Sequence, residues 1–196
     1  MNTSKPFLIV GMPTTETAWL SAFLSIGTSV VYHEPMGRLS ELEELKSVYR
    51  SNSYYKYVGI ADNGLGFFIN WMTDHIAPAI VILDKSVEDA QAEWDRMGMP
   101  RTNYLEVARE ELLKHKDDEN VLWVPNESLR SKRVMQKVFW HCLPGEPFDE
   151  VRYAEFARYK IDQNFDEVKK IAQMRRDVFL NLMRDTVLPK MKALAA

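Results

Sequence analysis

The sequence predicts an α/β protein with a five-stranded parallel sheet and helices on both of its faces. Short apolar runs rich in branched residues, which are typical of buried strands, occur five times along the chain. Segments with apolar residues at helical spacing lie between these runs. Strands that alternate with helices join in parallel through right-handed crossovers, and this arrangement covers the sheet on both sides.

The first strand and helix are predicted within Pro6–Leu24. Phe7–Val10 is an apolar run that suits a strand buried on both faces, and Gly11 and Pro13 end it. The helix is predicted from the apolar residues that follow at helical spacing, which are Trp19, Leu20, Phe23 and Leu24. Gly27 is expected to cap the end of this helix.

The remaining elements follow in order. Strands are expected over Thr28–Tyr32, Tyr54–Ala61, Ala79–Leu83 and Asn120–Val124. The helices between and after them are predicted to begin at a capping box of Ser40 with Glu43, near Leu65, and at Ser86, Thr102, Ser131 and Asp149. A last long helix is predicted over about Phe165–Leu194, bent at Pro189.

Length and composition predict a single domain over residues 1–196, with C-terminal helices from about residue 148 packed on it. The net charge of −3 argues against a dedicated nucleic-acid binder. Cys142 is the single cysteine, which excludes an internal disulfide and fits a reducing compartment. No apolar stretch approaches the roughly 20 residues that span a bilayer, and no signal peptide is recognised, so a cytoplasmic protein is expected.

Polar residues follow every predicted strand. The five strand ends carry Gly11–Thr17, His33–Pro35, Asp62–Asn63, Asp84–Lys85 and Asn126–Ser128. Because the carboxyl ends of parallel strands open on one edge of the sheet, these groups are expected to share a ligand crevice. The first turn opens a helix, whose free N–H groups and positive dipole end favour an anion there. The histidines and Cys142 are scattered along the sequence, and no metal site is expected.

The first turn does not match the phosphate-binding loop of nucleotide hydrolases. That loop needs Gly, four residues, and then Gly-Lys-Ser/Thr. Counted from Gly11, the three later positions hold Glu16, Thr17 and Ala18. Glu16 brings negative charge to the place of a phosphate, so a plain strand-to-helix turn with threonine caps is the alternative.

Five segments, in order, carry a resemblance to a known family. The turn reads GMPTTETAWL over Gly11–Leu20, where the family has Gly-x-Pro-Arg-Ser-Gly-Thr-Thr-Trp-Leu. His33-Glu34-Pro35, GIADNGLG, IVILDKSVEDA, and NESL with CLPGEPFDEVRY follow in the same order as similar family segments. Over about Phe7–Tyr159 the chain resembles the P-loop-like sulfotransferases, especially small bacterial and phage members. This resemblance implies a three-layer αβα domain of the P-loop nucleotide-hydrolase type.

The resemblance also implies ligands and site residues. The donor would be phosphoadenosine phosphosulfate or another adenine nucleotide, with no metal, and the acceptor would be a hydroxyl. Donor-binding residues would be Gly11, Thr14, Thr15, Thr17, Ala18, Trp19 and Lys85. His33 or Glu34 would be the catalytic base, with Glu34 orienting His33 as the other possibility, and Asp62, Asn63 and Glu127 would contact substrate. Three departures from the family are Thr14 for its Arg, Glu16 for its Gly, and Asp84 for its Arg.

Each site residue also has a purely structural interpretation. His33 could bond a neighbouring loop, and Glu34 could be a solvated carboxylate that the following Pro35 holds extended. Asp62 and Asn63 are better explained by capping the next helix, and Asp84 with Lys85 by a surface ion pair. Glu127 is expected to tie the fifth strand to the first loop.

Two functions from different classes remain open from the sequence. One is a transferase that moves a sulfuryl or phosphoryl group to a hydroxyl. The other is a diverged, inactive relative that binds a small ligand or a protein partner. Basic residues near the C-terminus, Lys169, Lys170, Arg175 and Arg176, fit either a packing helix or a homodimer contact.

Overall fold

The computed structural model of the chain describes residues 4–39, 41–158 and 189. The strands of this part are β1 (Lys5–Gly11), β2 (Ser29–His33), β3 (Tyr57–Ala61), β4 (Ala79–Asp84) and β5 (Val121–Pro125). The helices are α1 (Thr17–Leu24), α2 (Glu44–Ser51), α3 (Ile69–His75), α4 (Val87–Arg96), α5 (Tyr104–Leu113), α6 (Lys132–Cys142) and α7 (Glu150–Phe156). Three 3-10 turns cover Pro35–Arg38, Asn63–Phe68 and Asn126–Arg130.

The strands form one sheet in the order β2-β3-β1-β4-β5, and every neighbouring pair is parallel. β1 lies at the centre, with Ile9 opposite Ala61 of β3 and Gly11 opposite Leu83 of β4. The order turns on β1, because the chain moves to one side through β3 and β2 and to the other through β4 and β5. All five strands therefore end at one edge, and the predicted parallel sheet is confirmed.

Helices cover both faces of the sheet, because alternate residues of the central strands point to opposite sides. Leu8 and Val10 of β1 pack in one apolar cluster with residues of α2, α3, α4 and α5. Phe7 and Ile9 pack in a second cluster with residues of α1, α6 and α7. β1 is buried on both faces, as its unbroken apolar sequence predicts, and the three-layer αβα architecture is confirmed.

Local capping signals place several helix starts correctly. The Ser86 hydroxyl accepts the Asp89 N–H at 3.0 Å, and the Asp149 carboxylate accepts the Arg152 N–H at 2.9 Å. The Thr102 hydroxyl accepts the N–H of Tyr104, the first residue of α5, at 3.3 Å, although the residue at the N-cap position is Asn103. In each case the cap and its partner are two or three residues apart, so the sequence alone specifies the bond.

Other boundaries differ from the predictions. α1 ends at Leu24 with Ser25 in an extended conformation, so Gly27 is not its cap. β3 begins at Tyr57, because Tyr54 is 76% exposed and lies outside the sheet. α2 begins at Glu44, after a turn in which the Glu44 carboxylate accepts the Glu41 N–H; Ser40 lies outside the described residues.

The predicted C-terminal helix over Phe165–Leu194 falls almost wholly outside the described residues, as do the four basic residues there. Of the predicted C-terminal helices, α7 is described. Among the helices of the described part, none combines the length and the apolar character that crossing a bilayer demands.

Candidate functional site

The site is built on the loop Met12–Glu16, which joins β1 to α1. Gly11 is required where the loop leaves the sheet. A Cβ at this position would lie 2.7 Å from Thr15 Oγ1 and 2.8 Å from the Leu83 carbonyl oxygen. The absence of a side chain therefore lets the Thr15 hydroxyl fold back over the strand end, where it donates to the Met12 carbonyl at 2.8 Å.

Each of the other four strands has one side chain, at or just after its carboxyl end, that contacts this loop or Thr17, the first residue of α1. The four contacts are His33 Nε2 with Thr17 Oγ1 at 3.5 Å, Thr15 Oγ1 to Asn63 Oδ1 at 3.4 Å, Lys85 Nζ to Thr14 Oγ1 at 3.2 Å, and the Glu16 N–H to Asn126 Oδ1 at 3.0 Å. The predicted convergence of strand ends on the first loop is thus present in the structure.

The loop amides are less open than the sequence suggested. The Thr15 N–H donates to the Met12 carbonyl at 3.2 Å, and the Thr17 N–H donates to the Thr15 carbonyl at 2.8 Å. The Glu16 N–H is taken by Asn126, as above. Within the described residues, the amides of Ala18 and Trp19, in the first turn of α1, have no acceptor. Any anion at this loop would meet those two groups.

Two residues at the edge of the site hold the left-handed backbone conformation that side chains rarely adopt. Thr14 has φ +68° in the middle of the loop, and Glu34 has φ +49° and ψ +49° after β2. The expectation that Pro35 holds Glu34 extended is therefore wrong. The Glu34 N–H donates to the Ala61 carbonyl at 2.8 Å, and this bond fixes the turn at the end of the sheet. Such strain is most often kept at functional sites.

His33 is a half-buried imidazole between the loop and Glu34. Its Nε2 lies 4.0 Å from Glu34 Oε1 and 3.5 Å from the Thr17 hydroxyl. Burial lowers the pKa of His33 below 6.5, and the nearby Glu34 carboxylate partly offsets this by raising it. The ring is therefore largely neutral near pH 7, which is the state that a general base needs.

Asp62 is a buried structural carboxylate. It accepts the Gly64 N–H and the Met36 N–H, both at 2.9 Å, and so joins the turns after β2 and β3. The capping interpretation of Asp62 is confirmed. Its neighbour Asn63 is the residue that reaches the loop, through Thr15.

Asp84 and Lys85 do not pair with each other. Lys85 Nζ lies 2.8 Å from Glu93 Oε2 and contacts Thr14, and its side chain is only 11% exposed. Asp84 Oδ1 instead lies 3.4 Å from Arg109 Nε of α5. The predicted surface ion pair of Asp84 with Lys85 is wrong, because adjacent residues of an extended chain point in opposite directions.

Arg130 is the residue of the site that sequence reasoning missed. Its Nη2 lies 2.6 Å from Glu16 Oε2, and its guanidinium stacks 4.3 Å from the centre of the Trp19 ring. Its Nη1 also donates to the Phe156 carbonyl of α7 at 3.3 Å. Glu16 therefore does not point a lone charge into the loop. No local pattern marks Arg130, which follows Glu16 by more than a hundred residues.

Glu127 is not the link between β5 and the loop. That link is made by the preceding residue, Asn126, through the Glu16 amide. Within the described residues, no three His, Cys, Asp or Glu side chains gather as metal ligands would. Two shallow surface concavities, of about 460 and 490 Å³, are lined by residues around α2 and by residues around Ala77 and Asn120, away from the loop.

Comparison with solved structures identifies a protein of similar fold. The chain is similar to the crystal structure of mouse sulfotransferase SULT7A1 complexed with PAP, with a TM-score of 0.52 and 13% identity, over 94% of this chain and 86% of that one. No protein-family model and no curated protein matches the sequence. The likeness shows a sulfotransferase-like fold.

Proposed function

We propose that this chain is a diverged sulfotransferase-like transferase, which moves a sulfuryl or phosphoryl group from an adenine nucleotide to a hydroxyl acceptor. The observation that carries the proposal is the convergence of four strand ends on the loop between β1 and α1. The sulfotransferase-like fold supports it, since the similar mouse enzyme was solved with PAP.

The groups at the loop fit one phosphate better than several. Lys85 provides a poorly exposed cation beside the Thr14 hydroxyl, and Ala18 and Trp19 provide amides at the positive end of α1. Both cations at the end of β4 have carboxylate partners, Glu93 for Lys85 and Asp84 for Arg109, and of the two it is Lys85 that also contacts the loop, through Thr14. We therefore assign the phosphate next to the transferred group to this loop, with the Thr14 and Thr17 hydroxyls as partners. The Thr15 hydroxyl, which donates to the Met12 carbonyl, instead holds the loop closed over Gly11.

A bound donor would supply the activated sulfuryl or phosphoryl group and a phosphate leaving group. His33, with Glu34 beside it, would take the acceptor's proton as the new oxygen bond forms and the bond to the leaving phosphate breaks. Asn63, which contacts Thr15 of the loop, would orient the acceptor, while Asp62 holds the turn that carries Asn63. Neutral His33 can accept that proton without first losing one.

A second candidate is a binding module that has lost catalysis. The observation that favours it is Glu16, a carboxylate on the loop where the family has glycine. Three loop amides are also used within the protein. In this alternative the loop binds a ligand or a protein partner, and no group is transferred.

Thermal denaturation with adenosine 3′,5′-bisphosphate, adenosine phosphosulfate and ATP tests the proposal. A ligand at 100 times its dissociation constant adds about 2.7 kcal/mol of stability. We expect a shift with at least one nucleotide, reduced in Lys85→Met and kept in Lys137→Met, an exposed lysine of α6. The absence of a shift with all three would reject the nucleotide donor.

A second measurement separates the two candidates. The measurement is transfer of a sulfuryl or phosphoryl group from the nucleotide that binds to a panel of phenol, alcohol and sugar acceptors. Transfer that is lost in His33→Gln would establish the transferase. Binding without transfer would favour the binding module. In that case, tighter nucleotide binding by Thr14→Arg with Glu16→Gly would identify a donor pocket that has decayed.

A further inference from the structure

Arg130 makes four contacts with three other parts of the molecule, which are the loop, α1 and α7. It pairs with Glu16 of the loop, stacks on Trp19 of α1, and donates to the Phe156 carbonyl of α7. Its own carbonyl accepts the Tyr153 hydroxyl at 2.6 Å. The guanidinium is therefore held in a defined position beside the loop, and its side chain remains 31% exposed.

The loop position of Glu16 gives this ion pair a chemical consequence. Glu16 immediately precedes the first turn of α1, whose free amides belong to Ala18 and Trp19. A carboxylate that lies there neutralises Arg130 and adds negative charge where a phosphate would approach. The guanidinium Nη2 that donates to the Glu16 carboxylate could equally donate to a phosphate oxygen, while Nη1 stays on the Phe156 carbonyl.

We infer that Arg130 is an anion-binding residue of this site and that Glu16 is an internal competitor for it. A phosphate group of the ligand would take the place of the Glu16 carboxylate on the guanidinium. This inference depends on the part of the proposed function that brings a phosphate to the loop. It adds a specificity residue from the turn after β5, and it explains how a glutamate is tolerated in the loop.

The pair differs from an ordinary surface contact in its surroundings. The Lys132–Glu150 pair has a similar length of 2.7 Å but joins α6 to α7 with side chains 47% and 66% exposed. In the Glu16–Arg130 pair both side chains are about one-third exposed, and an aromatic ring covers one face of the guanidinium. The Lys132–Glu150 pair is therefore a matched control.

The test is a double-mutant cycle of Glu16 and Arg130 in the full chain. The affinity for inorganic pyrophosphate is measured by calorimetry for each variant. We expect Glu16→Gln to bind about fivefold more tightly than the unmodified protein, and Arg130→Met to bind about fivefold more weakly. The gain from Glu16→Gln should fall below about twofold when Arg130 is already replaced. Glu150→Gln should leave the affinity unchanged.

A different origin of the effect gives a different result. If Glu16 only repels the anion, Glu16→Gln should increase the affinity for pyrophosphate at least as much in the Arg130→Met background as in the unmodified protein. That outcome overturns the inference. An affinity that neither substitution changes also overturns it. Should Arg130→Met fail to fold, Arg130→Gln removes the charge but keeps N–H donors, and the same reduction of the gain is expected.

The probes distinguish this inference from the proposed function. If the effect of Glu16→Gln on pyrophosphate affinity depends on Arg130 but none of the three nucleotides binds, the nucleotide donor is rejected and the Arg130 site is kept. Nucleotide binding that does not change in Glu16→Gln would keep the proposed function and reject the Arg130 site.

Discussion

At the scale of the residue, Gly11 is the position of the site where the structure has no room for a side chain. We expect Gly11→Ala to destabilise the protein by about 1–3 kcal/mol, because its methyl group would meet Thr15 Oγ1, the Leu83 carbonyl and Leu83 Cβ within 2.9 Å. Urea denaturation measures the change. Gly27→Ala is the control, since a Cβ there has no neighbour within 4 Å. Equal stabilities of the two variants would contradict the close packing.

His33 gives a second prediction at this scale. Its pKa should lie below 6.5 in an NMR titration, because burial disfavours the charged ring more than Glu34 favours it. Glu34→Gln removes the favourable charge and should lower the pKa of His33 further. Since the unfolded chain binds the proton more readily, His33 should also reduce stability as the pH falls through 6.5 towards its folded pKa. A pKa above 6.5 would contradict the burial of the ring.

At the scale of the element, α1 is held at both ends by arginines from the C-terminal half. Arg130 contacts Glu16 at its start. Arg152 of α7 donates to the carbonyls of Ala22, Phe23 and Ser25 at its end, at 2.8 to 3.2 Å. These bonds satisfy the carbonyls that a helix end leaves free, which is the task expected of Gly27.

Replacing Arg152 should therefore loosen α1. We expect Arg152→Met to lower the free energy of unfolding by about 2 kcal/mol, because a charged donor to several carbonyls is lost. Arg133→Met, on the exposed face of α6, should change stability by less than about 0.5 kcal/mol. Urea denaturation of both variants makes the comparison. A loss in Arg133→Met as large as in Arg152→Met would show that arginine charge, and not the cap, is responsible.

The elements also show which parts of the structure the sequence could predict. The predictions that Ser86 and Asp149 cap helices were correct, because each side chain accepts a bond from an amide three residues away. Arg152 was missed as a helix cap because it lies more than a hundred residues from its partners. Tertiary contacts of this kind have no local pattern, and they decide the boundaries that local propensity leaves open.

At the scale of the whole molecule, the rule for parallel sheets predicted that the strand ends would share an edge. It could not predict which side chain at each end reaches the loop. After β4, Lys85 contacts the loop, whereas Asp84 pairs with Arg109. After β5, Asn126 contacts the loop and Glu127 does not. These choices depend on strand order and on side-chain direction at the last residue. The sequence therefore predicted the shared edge of the sheet, but not all of the side chains that meet at the candidate site.

The single cysteine reports on how the whole molecule opens. Cys142 is 2% exposed in the core between the sheet, α1 and α6, and burial raises the pKa of its thiol. Both effects make it unreactive, so we expect labelling by a thiol reagent to be slower than in the unfolded chain by a factor on the order of 10³ or more. The rate should rise with urea in parallel with global unfolding, and a nucleotide that binds should lower it.

The same experiment in Arg152→Met tests the connection between elements and the whole. Because α7 packs with α1 and α6 around Cys142, loss of the cap should speed labelling by the factor that the stability change predicts. Gly27→Ala should leave the rate unchanged. Fast labelling of the unmodified protein that urea does not accelerate would mean that α6 opens by itself. The second apolar cluster would then not be one cooperative unit with the sheet.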